Sequence, residues 1–140
     1  MAPAVLPNKA GAGFKLAGEK QWGRIVGFGS YTYNTAEGGN FGVALIRQAL
    51  NAGFAVNRPL NVGGEVGVGF SWAEPIDGIR LLGQPQRQPE KNQYGMEIYW
   101  KMLVTSDLWV TPNLQVIVNP TYNPGTESII VPGLKFRFFL

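Results

Sequence analysis

The chain has 140 residues with 19 Gly, 12% aromatic and only 15% charged residues, a composition that suits one domain built of sheet and excludes a disordered chain. The absence of Cys and His removes disulfides, thiol nucleophiles, imidazole bases and the usual transition-metal ligands, so neither a catalytic triad nor a zinc site can be assembled. A dispersed net charge of +3 is too small to argue for nucleic acid, and no stretch approaches the roughly 18 apolar residues a spanning helix needs.

Residues 1–22 open with Pro3, Pro7 and the run Gly11-Ala12-Gly13, all of which discourage regular structure. They predict an irregular N-terminal arm, with at most a short strand at Phe14 to Leu16. Met1 to Pro7 lacks the charged start and long apolar run of a signal peptide, so the chain reads as mature, truncated or internally started.

The first clear strand is predicted over Gly23 to Asn34, ending in Tyr31 and Tyr33 as an interfacial aromatic girdle would, although Gly27 and Gly29 leave its facing open. Gly38-Gly39-Asn40 supplies turn chemistry for a loop after it. Phe41 to Asn57 fits two patterns. As a helix it aligns Ala44, Leu45, Ala49, Ala52 and Val56. As a strand it sets Ala44, Ile46, Leu50, Ala52, Phe54 and Val56 against Arg47, Asn51 and Asn57, with Gln48 off pattern.

A turn at Asn57 to Asn61 leads to a strand over Val62 to Ala73, with Val66, Val68, Phe70 and Trp72 opposing Glu65, Gly67, Gly69 and Ser71. Pro75 ends it. Glu74 to Asn92, with Pro75, Pro85 and Pro89 among Arg80, Arg87, Glu90 and Lys91, is a long loop that cannot lie in hydrocarbon.

Alternation is strongest in the last third. Tyr94, Met96, Ile98, Trp100, Met102 and Val104 share one face of Gln93 to Val104, and Gln93, Gly95, Glu97, Tyr99, Lys101 and Leu103 share the other. Leu108 to Asn119 repeats the parity, a tight hairpin is predicted at Thr105 to Asp107, and Leu134, Phe136, Phe138 and Leu140 alternate with Gly133, Lys135, Arg137 and Phe139. Such a face could pack on a soluble core or touch lipid, and alternation alone does not separate the two. An aromatic-rich amphipathic strand running to the last residue suits the closing strand of an outer-membrane barrel.

The run Tyr99-Trp100-Lys101-Met102-Leu103-Val104-Thr105, then Leu108, then Thr111-Pro112-Asn113-Leu114-Gln115-Val116-Ile117-Val118-Asn119-Pro120, resembles the C-terminal end of carbohydrate-selective porins of bacterial outer membranes. Weaker likeness in the right order runs through Gln48-Ala49-Leu50-Asn51-Ala52-Gly53, Asn57-Arg58-Pro59-Leu60 and Val66-Gly67-Val68-Gly69-Phe70-Ser71-Trp72. The resemblance covers about Gly23 to Leu140, and it favours the strand over the helix at Phe41 to Asn57. Two departures stand out: the family usually ends in Phe where this chain has Leu140, and its members are far longer, so the chain looks like the last third of such a porin. The resemblance implies an outer-membrane location and sugar as solute.

The expected fold is therefore all-β, with about six antiparallel amphipathic transmembrane strands over residues 23–140. With the C-terminus in the periplasm, turns 57–61 and 105–107 fall inside, while loops 35–41, 74–92 and 119–127 fall outside, the short-inside, long-outside pattern of outer-membrane barrels. Known barrels of this type start at about eight strands, and an open edge cannot face lipid because each unpaired backbone group costs several kcal/mol. Other chains, most simply copies of this one in a homo-oligomer, are expected to complete the barrel; three copies would bring about eighteen strands, enough for an aqueous pore.

The expected pore-lining residues are Arg47, Asn51, Glu65, Glu97, Tyr99, Lys101, Trp109, Asn113, Gln115, Lys135 and Arg137. Tyr99 and Trp109 would offer flat apolar surfaces to a sugar ring, and the charged groups hydrogen bonds to its hydroxyls. No enzyme is expected, since Glu65 and Glu97 sit on separate strands and a glycosidase pair needs a defined separation. Nor do Gly64 to Gly69 and Gly27 to Gly29 have the context of phosphate loops. Neither cofactor nor metal is expected; the partners expected are membrane lipid, further barrel strands and a sugar solute, not nucleic acid. The alternative is a non-conducting sheet that anchors an envelope assembly.

Overall fold

A computed structural model describes residues 12–35, 46–59, 63–75, 91–121, 123 and 125–139. Seven strands form one sheet in sequence order, every neighbouring pair antiparallel: β1 (Gly13–Trp22), β2 (Ile25–Asn34), β3 (Ile46–Asn57), β4 (Gly64–Pro75), β5 (Gln93–Thr105), β6 (Leu108–Val118) and β7 (Ser128–Phe138). Strands of 10 to 13 residues match the 9 to 11 tilted residues, roughly, that cross a bilayer, with a little left over for the interfaces.

The count corrects the expectation of six. Within the predicted irregular arm, residues 13–22 pair with β2 along their whole length, from Gly13↔Asn34 to Trp22↔Ile25. Pro3 and Pro7 precede this strand and so cannot break it. Its alternation is masked in sequence because Gly18 and Lys20 occupy positions on the apolar side. The connection is a two-residue turn in which Gly23 takes φ 59, a value that favours glycine at the first turn position. Of the two patterns open for Phe41 to Asn57, residues 46–57 adopt the strand. The last strand begins at Ser128, directly after the loop expected at 119–127. Residues 1–11, 36–45, 60–62, 76–90, 122, 124 and 140 lie outside the described residues, and with them most of the loops expected at 35–41 and 74–92.

Cross-strand partners share a face, so the register sorts the wall into two. One face carries Phe54↔Val68, Val68↔Ile98, Ile98↔Leu114 and Val110↔Phe136; the other carries Glu65↔Lys101, Tyr99↔Asn113 and Trp109↔Arg137. Among the described residues the apolar face meets no second layer. Phe54, Ile98 and Phe136 are each more than half exposed, and Ala55, which is buried, belongs to the other face as the partner of Gly67. A soluble sandwich needs a second sheet over such a face; this sheet is oily where it is uncovered, as a wall facing lipid would be.

The sheet is also staggered. The row through Trp22, Ile25, Val56, Val66 and Trp100 ends β1 but leaves β5 to continue to Thr105. Such stagger is the tilt that barrel strands require. The strand ends Trp22 and Ile25, Asn57 and Gly64, and Thr105 and Leu108 lie at one rim, and Asn34 and Ile46, Pro75 and Gln93, and Val118 and Ser128 at the other. β1 and β7 have one strand neighbour each among the described residues, so both are edges.

Candidate polar wall of a pore

The polar face owes its shape to side chains that lie flat on glycine. Tyr99 of β5 crosses to its register partner Gly67 of β4, where a Cβ would collide with the phenol ring; Asn113 of β6 crosses to Gly133 of β7 in the same way. Phe28 lies over Gly53, its ring 2.6 Å from where a Cβ would stand. The glycines are thus close-approach sites, the use a glycine inside a strand commonly marks.

Hydrogen bonds then hold the flattened groups. The Tyr99 hydroxyl donates to Glu65 Oε1 at 2.6 Å, and Asn113 Nδ2 donates to Glu97 Oε1 at 2.7 Å. Asn113 is buried, 9% exposed, beneath its neighbours. Beside and beyond Glu97, Gly69 and Gly95 leave a shallow trough of about 340 Å³, edged on the polar side by Asn51, Ser71, Glu97, Tyr99 and Gln115. Asn51 Nδ2 reaches Ser30 Oγ at 3.4 Å.

Towards the short-turn rim the chemistry changes. Lys101 Nζ stands 4.6 Å from the centre of the Trp109 ring, so one indole face is taken by an ammonium. Arg137 is the register partner of Trp109 and Lys135 that of Thr111, and the Arg137 guanidinium lies 5.0 Å from the Phe139 ring.

Ten of the eleven residues singled out in the sequence therefore share this face: Asn51, Glu65, Glu97, Tyr99, Lys101, Trp109, Asn113, Gln115, Lys135 and Arg137. Arg47 does not join them. It falls in the register break between Ile46 and Gln48 and pairs at 4.0 Å with Glu74 near the long-loop rim, beside the chain Tyr31 hydroxyl to Gln48 and Gln48 amide to Glu74. A bulge re-aims a side chain in this manner.

Sequence reasoning missed the polar residues of β1, Lys15, Glu19 and Gln21, which share this face through Thr32, Phe28 and Val26. Their alternation with Phe14, Leu16 and Trp22 was the available signal. Parity places Gln93 on this face but does not give its partner: its Oε1 accepts from both the backbone N–H and the hydroxyl of Thr121 and so ties Thr121, after β6, to the start of β5.

Glu65 and Glu97 are both engaged by neutral donors, and the described residues contain no group of three acidic, His or Cys side chains able to hold a metal. The arrangement sets flat rings, carboxylate and amide acceptors and a set of cations on one face, groups able to stack on a ring and to hydrogen-bond hydroxyls.

The family model for the carbohydrate-selective porins, OprB family, matches residues 10–140. Among solved structures, the high-pH structure of Pseudomonas putida OprB is similar, with a TM-score of 0.63 and 21% identity; the likeness covers 81% of this chain and 30% of that one. The chain thus spans less than a third of the length of that solved relative. No curated protein matches it in sequence.

Proposed function

The chain belongs to the carbohydrate-selective porins of the OprB family, and on that premise we propose that its seven strands are a segment of a pore wall, admitting small solutes, sugars among them, by passive diffusion. Its place is the bacterial outer membrane, and the family is one of channels rather than enzymes. The observation that carries the channel is the contrast between the faces: an uncovered apolar side across the sheet, and a reverse side on which Glu65–Tyr99 and Glu97–Asn113 form a polar network. Lipid suits the first and water the second.

Sugar as solute is supported by Tyr99, which presents a ring pressed flat on the wall at Gly67, with Glu97, Gln115 and Asn51 as hydrogen-bonding groups beside it. Because β1 and β7 are edges, strands beyond these seven must close the barrel. For the 140-residue chain folded by itself, copies of the same chain are the available source.

Two measurements test this. In planar bilayers the protein is expected to conduct ions, with current reduced by a neutral sugar in a concentration-dependent way. Membrane insertion without conductance would sink the channel and leave a structural, anchoring sheet. In detergent, the folded 15.3 kDa chain is expected to run as an oligomer; a stable folded monomer would refute closure by copies.

A further inference from the structure

Antiparallel pairing in sequence order fixes the directions of the two outer strands. Each step from β1 to β7 reverses the chain, so both run from the rim of Gly13 and Ser128 to the rim of Trp22 and Phe138. Both are bare: all ten residues of β1 and nine of the eleven of β7 are exposed, while β2 and β6 beside them are mostly half-buried. Single-chain bacterial barrels have an even number of strands, so their first and last are antiparallel and close on each other. Copies of a seven-stranded wall cannot close in that way. Inverting a copy while its polar face stays inward also reverses its strand order, so it meets the first copy β1 to β1 and β7 to β7. Those junctions are antiparallel, but they put the tight turns after Trp22 and Thr105 on opposite sides of the membrane in alternate copies. Outer-membrane barrels keep their short turns on the periplasmic side.

From the odd strand count we infer that copies join head to tail through a parallel seam, β7 of one beside β1 of the next, with Lys135 facing Glu19 of the next copy. The inference rests on closure by copies, proposed above, and says which edges meet and in what register. Two conditions choose that register. Strands that end at the same rims set Ser128 near the start of β1 and Phe138 near its end. Facing must also match across the seam, because a slip of one residue turns every polar group towards lipid. The register that meets both conditions puts Phe138 beside Trp22 on the oily face. On the polar face Lys135 then stands beside Glu19, and Val131 beside Lys15. Neither Glu19 nor Lys135 has an ion-pair partner among the described residues, where the ion pair is Arg47–Glu74. The seam gives each the opposite charge. A head-to-tail contact repeats round a closed ring, so one geometry serves every junction.

The chain contains no cysteine, so introduced cysteines report the seam alone. Paired neighbours on adjacent strands fall within the roughly 4.4–6.8 Å between Cα atoms that a disulfide spans. Lys15→Cys and Val131→Cys combined in one chain are expected, on oxidation of the detergent-solubilised oligomer, to give a covalent ladder of chains; neither substitution alone should. Ala17→Cys alone reports the inverted arrangement, because β1 against β1 sets residue 17 of two copies side by side. All three positions are exposed, and a readout without cysteine stands beside them. Glu19→Lys is expected to weaken association about two- to fivefold per seam, and adding Lys135→Glu to restore it. A ladder from the paired cysteines supports the seam. Dimers from Ala17→Cys, or an oligomer that neither design cross-links, overturn the seam and leave closure by copies standing. A folded monomer removes closure by copies and the seam with it. A ladder in a protein that passes no current would keep the seam and remove the channel.

Discussion

β1 and β5 run in the same direction in one sheet and end at the same rim, yet they are built differently. β5 has strand neighbours on both sides and alternates over most of its length between partly covered and exposed residues, whereas all ten residues of β1 are exposed and, among the described residues, only β2 borders it. β5 carries Met96, Ile98 and Trp100 in unbroken order on its oily side; β1 places Gly18 and Lys20 at the corresponding positions. The difference teaches that the side chain a wall tolerates depends on depth as well as parity. Lys20 shares a register row with Gly27, Phe54, Val68 and Ile98, but stagger sets it close to the hairpin while Ile98 sits mid-strand. Its ammonium lies 5.5 Å from the Trp22 ring, as a snorkelling lysine near an interface would.

The largest effect is expected from breaking the oily side of β5. Ile98→Lys should destabilise the lipid-inserted protein by about 2–4 kcal/mol, the range for a cation near the bilayer midplane. Urea unfolding from lipid vesicles measures it. A loss below about 1 kcal/mol would place Ile98 at an interface and remove the depth argument.

Next comes the flattened ring. Gly67→Val should cost about 1–3 kcal/mol, because the new side chain occupies the space of the Tyr99 phenol and forces it off the wall. Gly18→Val in β1, where a Cβ would meet nothing within 4 Å, should be neutral or slightly stabilising through β propensity. Unfolding of the two variants side by side checks the contrast, and equal losses would mean that close approach is not why Gly67 is glycine.

The same contrast explains what could be read from the chain without coordinates. β4 to β6 were legible because Val66 to Trp72, Tyr94 to Met102 and Leu108 to Val118 keep strict parity, and register preserves it. Most of the polar wall was legible for the same reason, since parity alone puts Glu65, Glu97, Tyr99, Lys101 and Asn113 together. β1 was hidden by Lys20 on the apolar side and by prolines that lie outside the strand. The fate of Arg47 was not legible, because a one-residue bulge reverses facing and leaves no composition signal. Nor could parity tell that Tyr99 would take Glu65 from Lys101, which depends on a ring lying flat over Gly67.

A smaller loss tests that choice of partner. Tyr99→Phe keeps the ring over Gly67 and removes the 2.6 Å bond to Glu65. A cost of about 1 kcal/mol is expected in the same unfolding assay. The freed carboxylate then faces Lys101, its cross-strand partner, so part of the loss should be recovered, and adding Lys101→Gln should enlarge it. A loss that Lys101→Gln leaves unchanged would show that Glu65 does not reach the cation.

The smallest change is expected at Lys20. If depth governs what the oily side accepts, Lys20→Leu removes a charge that already reaches water beside Trp22, and stability should change by no more than about 0.5 kcal/mol, as for most surface substitutions. Were Lys20 instead held in hydrocarbon at the level of Ile98, the same substitution would recover about 2–4 kcal/mol, mirroring the loss predicted for Ile98→Lys. The pair of variants therefore measures the tilt of the wall between β1 and β5 energetically. Equal and opposite effects would mean that a register row is also a level, and the stagger read from Trp22 to Trp100 would no longer separate the two residues in depth.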